Sequence, residues 1–464
     1  MTGYEEAILQ SRCLPRDDRG LWAGICRVTR LSRHYADQQS RTIWDTGADL
    51  IGPTFFFFIW WVIRMAAQEK IKTLYFLARD GQVLIQIARL IVERYPTNTE
   101  FKYLYGSRQA WLIPSIREFG QKEMDWVMSD WWYRVSIRSI CKRLGLSPED
   151  MNEILNQFRF AKNDFDRTLN NEEKSRLKDC LRSEIFQCWF QQRSKEDFEN
   201  TVGYFRQEGL LKEECYGLVD IGWRGNQQVA LNKILQKAGC QPKKGITGFY
   251  FGLTEAVEKC AGDTLQAFLF DLSSSSRRFQ LRNNHLYEAF AASEEGRTIG
   301  FGKKANQFYP ILESPVNQPV VDWGIQIQQE SILHFCQKFL AHCPSETFRE
   351  EYCFPVLERL LDQFISRPSV SEAEVYGRFP MDGEMTESNV QEIAPVVSRK
   401  DFWLACLDLK NFHFFWVQAS LLRSKLYFEK FLWKLVLPFL TVSYFWLQRI
   451  LRLRQEHREH ASSG

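Results

Sequence analysis

The stretch Leu74-Tyr75-Phe76-Leu77-Ala78-Arg79-Asp80-Gly81 decides the fold. Its apolar run has the length of a strand and ends in Arg-Asp-Gly. Beyond it the period changes: Val83, Leu84, Ile87, Leu90 and Ile91 share one helical face, while Gln82, Gln86, Arg89 and Glu93 share the other. Strand, tight turn and helix follow in that order. In an open α/β sheet such a turn lies at the carboxyl end of the strand, where ligands bind, and the helix start offers unpaired N–H groups to an anion. Asp80, with Arg79 and Gly81 beside it, is thereby placed in a crevice.

The layout recurs at Tyr216-Gly217-Leu218-Val219-Asp220-Ile221-Gly222-Trp223-Arg224-Gly225-Asn226-Gln227-Gln228, followed by a helix that Gly239 can end. Gly222 and Gly225 let backbone approach a phosphate closely, and Asp220 occupies the place matching Asp80. Two plainer readings stand beside this one. Glycine at such turns is often only steric, and an Asp at a strand end often only caps the next helix.

Two further strands are expected, Phe101–Leu104 and Ile246–Leu253. The first ends in the polar turn Tyr105-Gly106-Ser107-Arg108, where Arg108 either meets a phosphate or pairs with an acid. Strands alternating with helices argue an α/β fold, a doubly wound, Rossmann-like and mostly parallel sheet over residues 41–310. Residues 115–206 lose strand character. The capping box Ser147-Pro148-Glu149-Asp150 and a helix from Glu172 to Phe190 mark them as a large helical insertion over the sheet's carboxyl edge. His285 and Glu288 lie three apart, so on a helix they share a face; they join the site as base or ligand, or belong to a solvated surface. A turn is expected at Gly296–Phe301.

Outside the core, residues 1–40 read as a polar arm, and Thr54 to Glu69 as a buried helix, since Gly52-Pro53 interrupts the apolar run around it. Residues 311–425 form a helical carboxyl-terminal region with Ile325, Ile332, Phe335 and Phe339 as core, and 368–397 an acidic loop. Residues 426–464 are different in kind. From Phe431 to Leu447 the only charge is Lys434, and Arg449, Arg452, Arg454 and Arg458 follow. That pattern suits an interfacial helix with a basic flank, or a core-packed terminal helix with a solvated tail.

Net charge is +3 over 464 residues, which calls for no nucleic-acid partner. The twelve cysteines include no Cys-x-x-Cys pair and read as free thiols. With no apolar segment in the first twenty residues, the expected location is the cytoplasm, at most peripheral to the inner membrane.

On Gly52-Pro53, Tyr75-Phe76-Leu77-Ala78-Arg79-Asp80-Gly81, Tyr105-Gly106-Ser107-Arg108 and Val219-Asp220-Ile221-Gly222-Trp223 with Gly225 and Gln228, and more weakly on Glu288 and Gly300-Phe301, the chain resembles a group of bacterial proteins. They are described as predicted hydrolases of the haloacid dehalogenase (HAD) superfamily, found with capsule and surface-polysaccharide biosynthesis. The resemblance is to their carboxyl half, which a HAD domain precedes. It implies hydrolase or phosphotransfer chemistry on a phosphorylated or nucleotide-activated sugar, with Asp80 and Asp220 as catalytic acids or Mg²⁺ ligands. Arg79, Gly81, Ser107, Arg108, Gly222, Trp223, Gly225 and Gln228 would line the phosphate site, with His285 and Glu288 as further candidates.

The same resemblance implies a glycosyltransferase or a separate HAD chain as partner. A HAD nucleophile is an Asp followed two residues later by an Asp general acid. Here one register puts Ala78 at the nucleophile and the other puts Gln82 at the acid, so neither supplies both carboxylates locally. The alternative function is a noncatalytic, ligand-binding accessory subunit of a membrane glycosyltransferase or polysaccharide assembly system.

Overall fold

The protein is seen in a computed structural model that describes residues 1–116, 118–128, 135–144, 146–212, 215–254, 260–271, 281–343, 349–382, 390–407 and 415–433. Five strands form one parallel sheet: β1 (Thr73–Leu77), β2 (Glu100–Leu104), β3 (Tyr216–Asp220), β4 (Thr247–Leu253) and β5 (Thr264–Asp271), in the order β2-β1-β3-β4-β5. The architecture is Rossmann-like α/β. All four strands expected from their apolar runs are present and parallel. β5 extends the sheet at its edge, where partial exposure of Leu265, Gln266 and Ala267 leaves only a short apolar run to read.

Both faces of the sheet are covered, which is why its central strands are continuously apolar instead of alternating. Leu74 and Phe76 of β1 enter one core with the helices Gly52–Gln68 and Gly81–Arg94. Tyr75 and Leu77 enter another, with Trp111, Phe205, Leu231 and Leu235 from the helices Arg108–Ser115, Glu184–Glu208 and Asn226–Lys237.

The aromatic run ends up as the main pillar of the first core. A continuous helical segment, Gln38–Gln68, is long and apolar enough to cross a membrane, yet 78% of its most apolar window is buried inside the protein. Phe55 and Phe58 pack edge-on against Phe251 of β4, and Phe56 against Phe339.

Outside the insertion and the site, three expectations are corrected. Residues 1–40 are not a loose arm: Gly3–Leu9 and Arg16–Leu31 are helices, and Trp22, Ile25, Cys26 and Thr29 bury a face of the second, whose first turn Arg16-Asp17-Asp18-Arg19 is wholly charged. The fully buried Glu5 accepts from Arg27 and Arg30 at 2.7 Å each, and Thr2 Oγ1 donates to Asp49 at 2.7 Å. The turn expected at Gly296–Phe301 is instead the start of β6 (Thr298–Lys304), which pairs antiparallel with β7 (Gln307–Leu312); Gly300 and Gly302 had masked its strand character. The loop expected over 368–397 contains the helix Val370–Gly377, whose capping box is Ser369 with Glu372.

The helical insertion has its own core, built on Phe119, Leu144, Leu155, Phe186 and Phe190. Ser147 and Asp150 do exchange the hydrogen bonds of a capping box, at 3.1 and 3.2 Å, ahead of the helix Asn152–Gln157. The single helix expected from Glu172 is two, Asn171–Arg182 and Glu184–Glu208, because extended Ser183 caps the second through Phe186 N–H. Of the aromatic terminal stretch, only Phe431–Trp433 lies within the described residues, as part of a helical segment 427–433; the remainder of the expected interfacial helix, 434–447, and its basic flank fall outside them.

Candidate active site at the ends of β1 and β3

β1 and β3 are neighbours with parallel register, Thr73 opposite Tyr216 and Phe76 opposite Val219. From β1 the chain passes through the helix Gly81–Arg94 to β2 on one side; from β3 it passes through Asn226–Lys237 to β4 on the other. Connections that leave adjacent strands in opposite directions open a crevice at the carboxyl edge, the usual ligand position in such sheets. Asp220 is the last residue of β3, and Asp80 stands three residues beyond the end of β1.

Neither acid is spent on capping. Asp80 occupies the N-cap position of its helix, but its side chain makes no cap hydrogen bond. Asp220 lies well ahead of the helix it precedes, whose N-cap is Gly225. The backbone N–H groups of Gly222 and Ile221 instead act on its carboxylate and draw its pKa down.

Burial raises the Asp220 pKa to about 7 against the pull of those two N–H groups, with Glu288 pushing it up and Arg108 down. Asp80 is raised well above the usual carboxylate range, first by desolvation and then by the charge of Asp220, while Arg79 and Arg108 oppose the shift. Two carboxylates whose charges repel one another favour a shared proton or a bound cation.

Glu288, on the helix Asn284–Ala291, is the third carboxylate acting on both aspartates. Burial opposes its ionisation, but His285, the indole of Trp223 and Arg108 together hold its pKa below the ordinary value. Trp223 Nε1 donates to Glu288 Oε1 at 2.8 Å, and His285 Nδ1 stands 3.4 Å from Oε2. Both side chains keep more than a third of their surface exposed, so the pair lies at the rim of the crevice. Trp223 is held in turn by stacking on Phe270, with centroids 6.1 Å apart and planes 5° off parallel. The Gly222–Trp223 peptide is cis.

Other expected ligand residues have structural work. The Gln228 amide is fully buried, donating to Ile246 O at 2.8 Å and accepting from Tyr250 OH at 2.9 Å; it is a core residue between β3 and β4 rather than a ligand contact. Ser107 caps its helix by accepting from Ala110 N–H at 2.9 Å and donates to Thr298 O at 2.6 Å. Gly222 and Gly225 sit at φ +142° and +70°; a Cβ would stand 2.3 Å from Gly252 O in the first case and 2.5 Å from Leu265 Cδ2 in the second. Their positions are fixed by backbone shape and packing, and at Gly81 a Cβ would press on Phe76 at 2.8 Å. Arg108 is exposed on the first helical turn after β2, and its charge reaches Asp80, Asp220 and Glu288.

One group was not anticipated. Tyr103 and Tyr105, from the end of β2, donate to Glu295 at 2.8 and 3.4 Å. Burial, Glu295 and the nearby charge of Asp80 push the Tyr103 hydroxyl up, which places this cluster beside the dyad. Tyr-x-Tyr at a strand end was a readable signal; Glu295, in the loop before β6, carried none.

Among the described residues no group of three or more His, Cys, Asp or Glu is arranged to hold a metal ion. No protein-family model matches this sequence, and no curated protein is similar to it.

Proposed function

We propose that the crevice between β1 and β3 takes a phosphorylated or nucleotide-activated sugar and acts on it by HAD-like hydrolase or phosphotransfer chemistry, in bacterial surface-polysaccharide biosynthesis. In this reading the sheet is doubly wound and the crevice is its switch point. The observation that carries it is the Asp80–Asp220 dyad: two acids on adjacent strand ends, both raised by burial, neither used as a helix cap. Asp220 supplies from β3 the second carboxylate that the sequence near Asp80 lacks.

The dyad holds one proton near neutral pH, so one carboxyl serves as acid and the other as base. Asp220, whose negative charge two backbone N–H groups favour, is the better placed anion, and Asp80 the proton donor to a leaving oxygen. Arg79 and Arg108 offset the phosphate charge. Mg²⁺, which takes one or two carboxylates and completes its shell with phosphate oxygens and water, would be held by Asp80 and Asp220. When bound, the ion would neutralise both carboxylates and polarise the phosphate.

The test is a thermal-shift series with hexose phosphates and nucleotide sugars, with and without Mg²⁺, followed by phosphate-release assays on any ligand that stabilises. Ligand at a hundredfold its Kd should add about 2.7 kcal/mol of apparent stability. No shift with any of them overturns the reading.

A second reading, a noncatalytic ligand-binding subunit partnering a membrane glycosyltransferase, is favoured by Gln82. It stands where one register expects the general acid, and its Oε1 accepts from Gln329 Nε2 at 3.0 Å. Stabilisation by ligand without turnover selects this reading.

A further inference from the structure

The described chain ends in a small helical satellite, formed by Arg399–Leu407, Val417–Arg423 and the segment 427–433. Its inner side packs in the ordinary way. Phe402, Val417, Leu421 and Leu426 make an apolar cluster, the rings of Phe402 and Trp433 lie 6.1 Å apart, and Arg399 pairs with the buried Glu429 at 2.5 Å.

Its outer side is unusual. Trp403 and Leu404 on one helix are 43% and 52% exposed; Tyr427, Phe428 and Phe431 on the abutting one are 62%, 64% and 59% exposed. The last three fall at i, i+1 and i+4, so they share a helical face. Single apolar residues on a surface need no explanation, but five large ones on two abutting helices mark a contact surface.

Composition and charge choose the occupant. Trp, Tyr and Phe are the residues that settle at a bilayer's headgroup boundary. Lys400 and Lys425 are exposed on these helices and their turn, with Asp401 the exposed acid of the first helix and Arg399 already paired with Glu429. The sequence then continues from Phe431 through the apolar run to Leu447 and on to Arg449, Arg452, Arg454 and Arg458. Apolar burial combined with basic residues is the two-signal arrangement that reversible membrane anchoring requires.

We propose that the face carrying Trp403, Leu404, Tyr427, Phe428 and Phe431 docks the protein on an anionic bilayer surface, with the rings among the headgroups and the basic side chains against lipid phosphates. The surface thus extends beyond the aromatic terminal stretch to a helix well upstream of it. It does not depend on the reading of the dyad.

The test is flotation of the full chain with phosphatidylcholine vesicles, with and without phosphatidylglycerol. Binding is expected only to the anionic vesicles and should weaken as salt is raised. Two variants, Trp403→Ser with Leu404→Ser, and Phe428→Ser with Phe431→Ser, should each lower the affinity roughly tenfold or more. Because all four side chains are exposed, the far-UV circular dichroism and melting temperature should stay as in the parent. Absence of vesicle binding overturns the proposal. So does binding that the Trp403/Leu404 pair leaves unchanged, which would assign it to the terminal stretch alone, and so does a dimer that both variants dissociate, which would make the face a contact between copies.

Discussion

Asp220 is the charge that acts most strongly on Asp80, although the whole helical insertion lies between them in the chain. Parallel pairing of β1 with β3 makes neighbours of their two carboxyl ends, so acids distant in sequence titrate as a pair.

A pair that acts as one unit loses its function once. Asp80→Asn and Asp220→Asn should each abolish stabilisation by a sugar phosphate with Mg²⁺, and the double variant should lose little more. Isothermal titration of the three variants checks this. Independent, additive losses would mean two unrelated structural acids.

Stability should fall with rising pH. Asp220 has a folded-state pKa near 7, above its unfolded value, so the folded chain keeps a proton that the unfolded chain releases. Both states are protonated below about pH 4, and the relative destabilisation grows from there to about pH 7 and then stays constant. Asp220→Asn should lessen this slope, leaving the share of Asp49 and Asp80, which burial also raises, and should stabilise the protein at pH 8 by an amount on the order of 2–4 kcal/mol. Urea melts at pH 5 and pH 8 read the difference; an unchanged slope in the variant would place the titration elsewhere.

Trp223→Phe should preserve the stack on Phe270 while removing the donor to Glu288. A hydrogen bond to a charged group contributes about 1.5–3 kcal/mol. Ligand affinity is therefore expected to drop roughly tenfold with a melting temperature close to the parent's, since about 1.4 kcal/mol is tenfold in Kd. A variant that melts much earlier would show that the indole serves the fold and not the site.

Gly222→Ala and Gly239→Ala separate strain from crowding. Both glycines have positive φ, but a Cβ at Gly239 meets nothing within 4 Å, whereas at Gly222 it meets Gly252 O at 2.3 Å. Gly239→Ala should cost about 1 kcal/mol and Gly222→Ala more than about 2 kcal/mol. Equal losses in chemical denaturation would contradict the packing role assigned to the turn.

The strands at Leu74, Lys102, Leu218 and Phe249, the buried aromatic helix and the helical insertion are legible in the sequence, because each depends on apolar periodicity within one segment. The sequence also pointed to Asp80 and Asp220 through the repeated strand-turn-helix pattern. The buried face of residues 1–40 is not legible there, since Trp22, Ile25 and Thr29 follow the charged turn Arg16–Arg19 and their partners lie far along the chain. Contacts across the fold, and no local pattern, show that neither aspartate is a cap, that Gln228 belongs to the core, that Glu288 accepts from Trp223 and that Glu295 accepts from Tyr103. Those facts are contacts between residues with no local relation to one another. Strand order and the packing of helices on the sheet create them, and a pattern read along one segment carries no record of either.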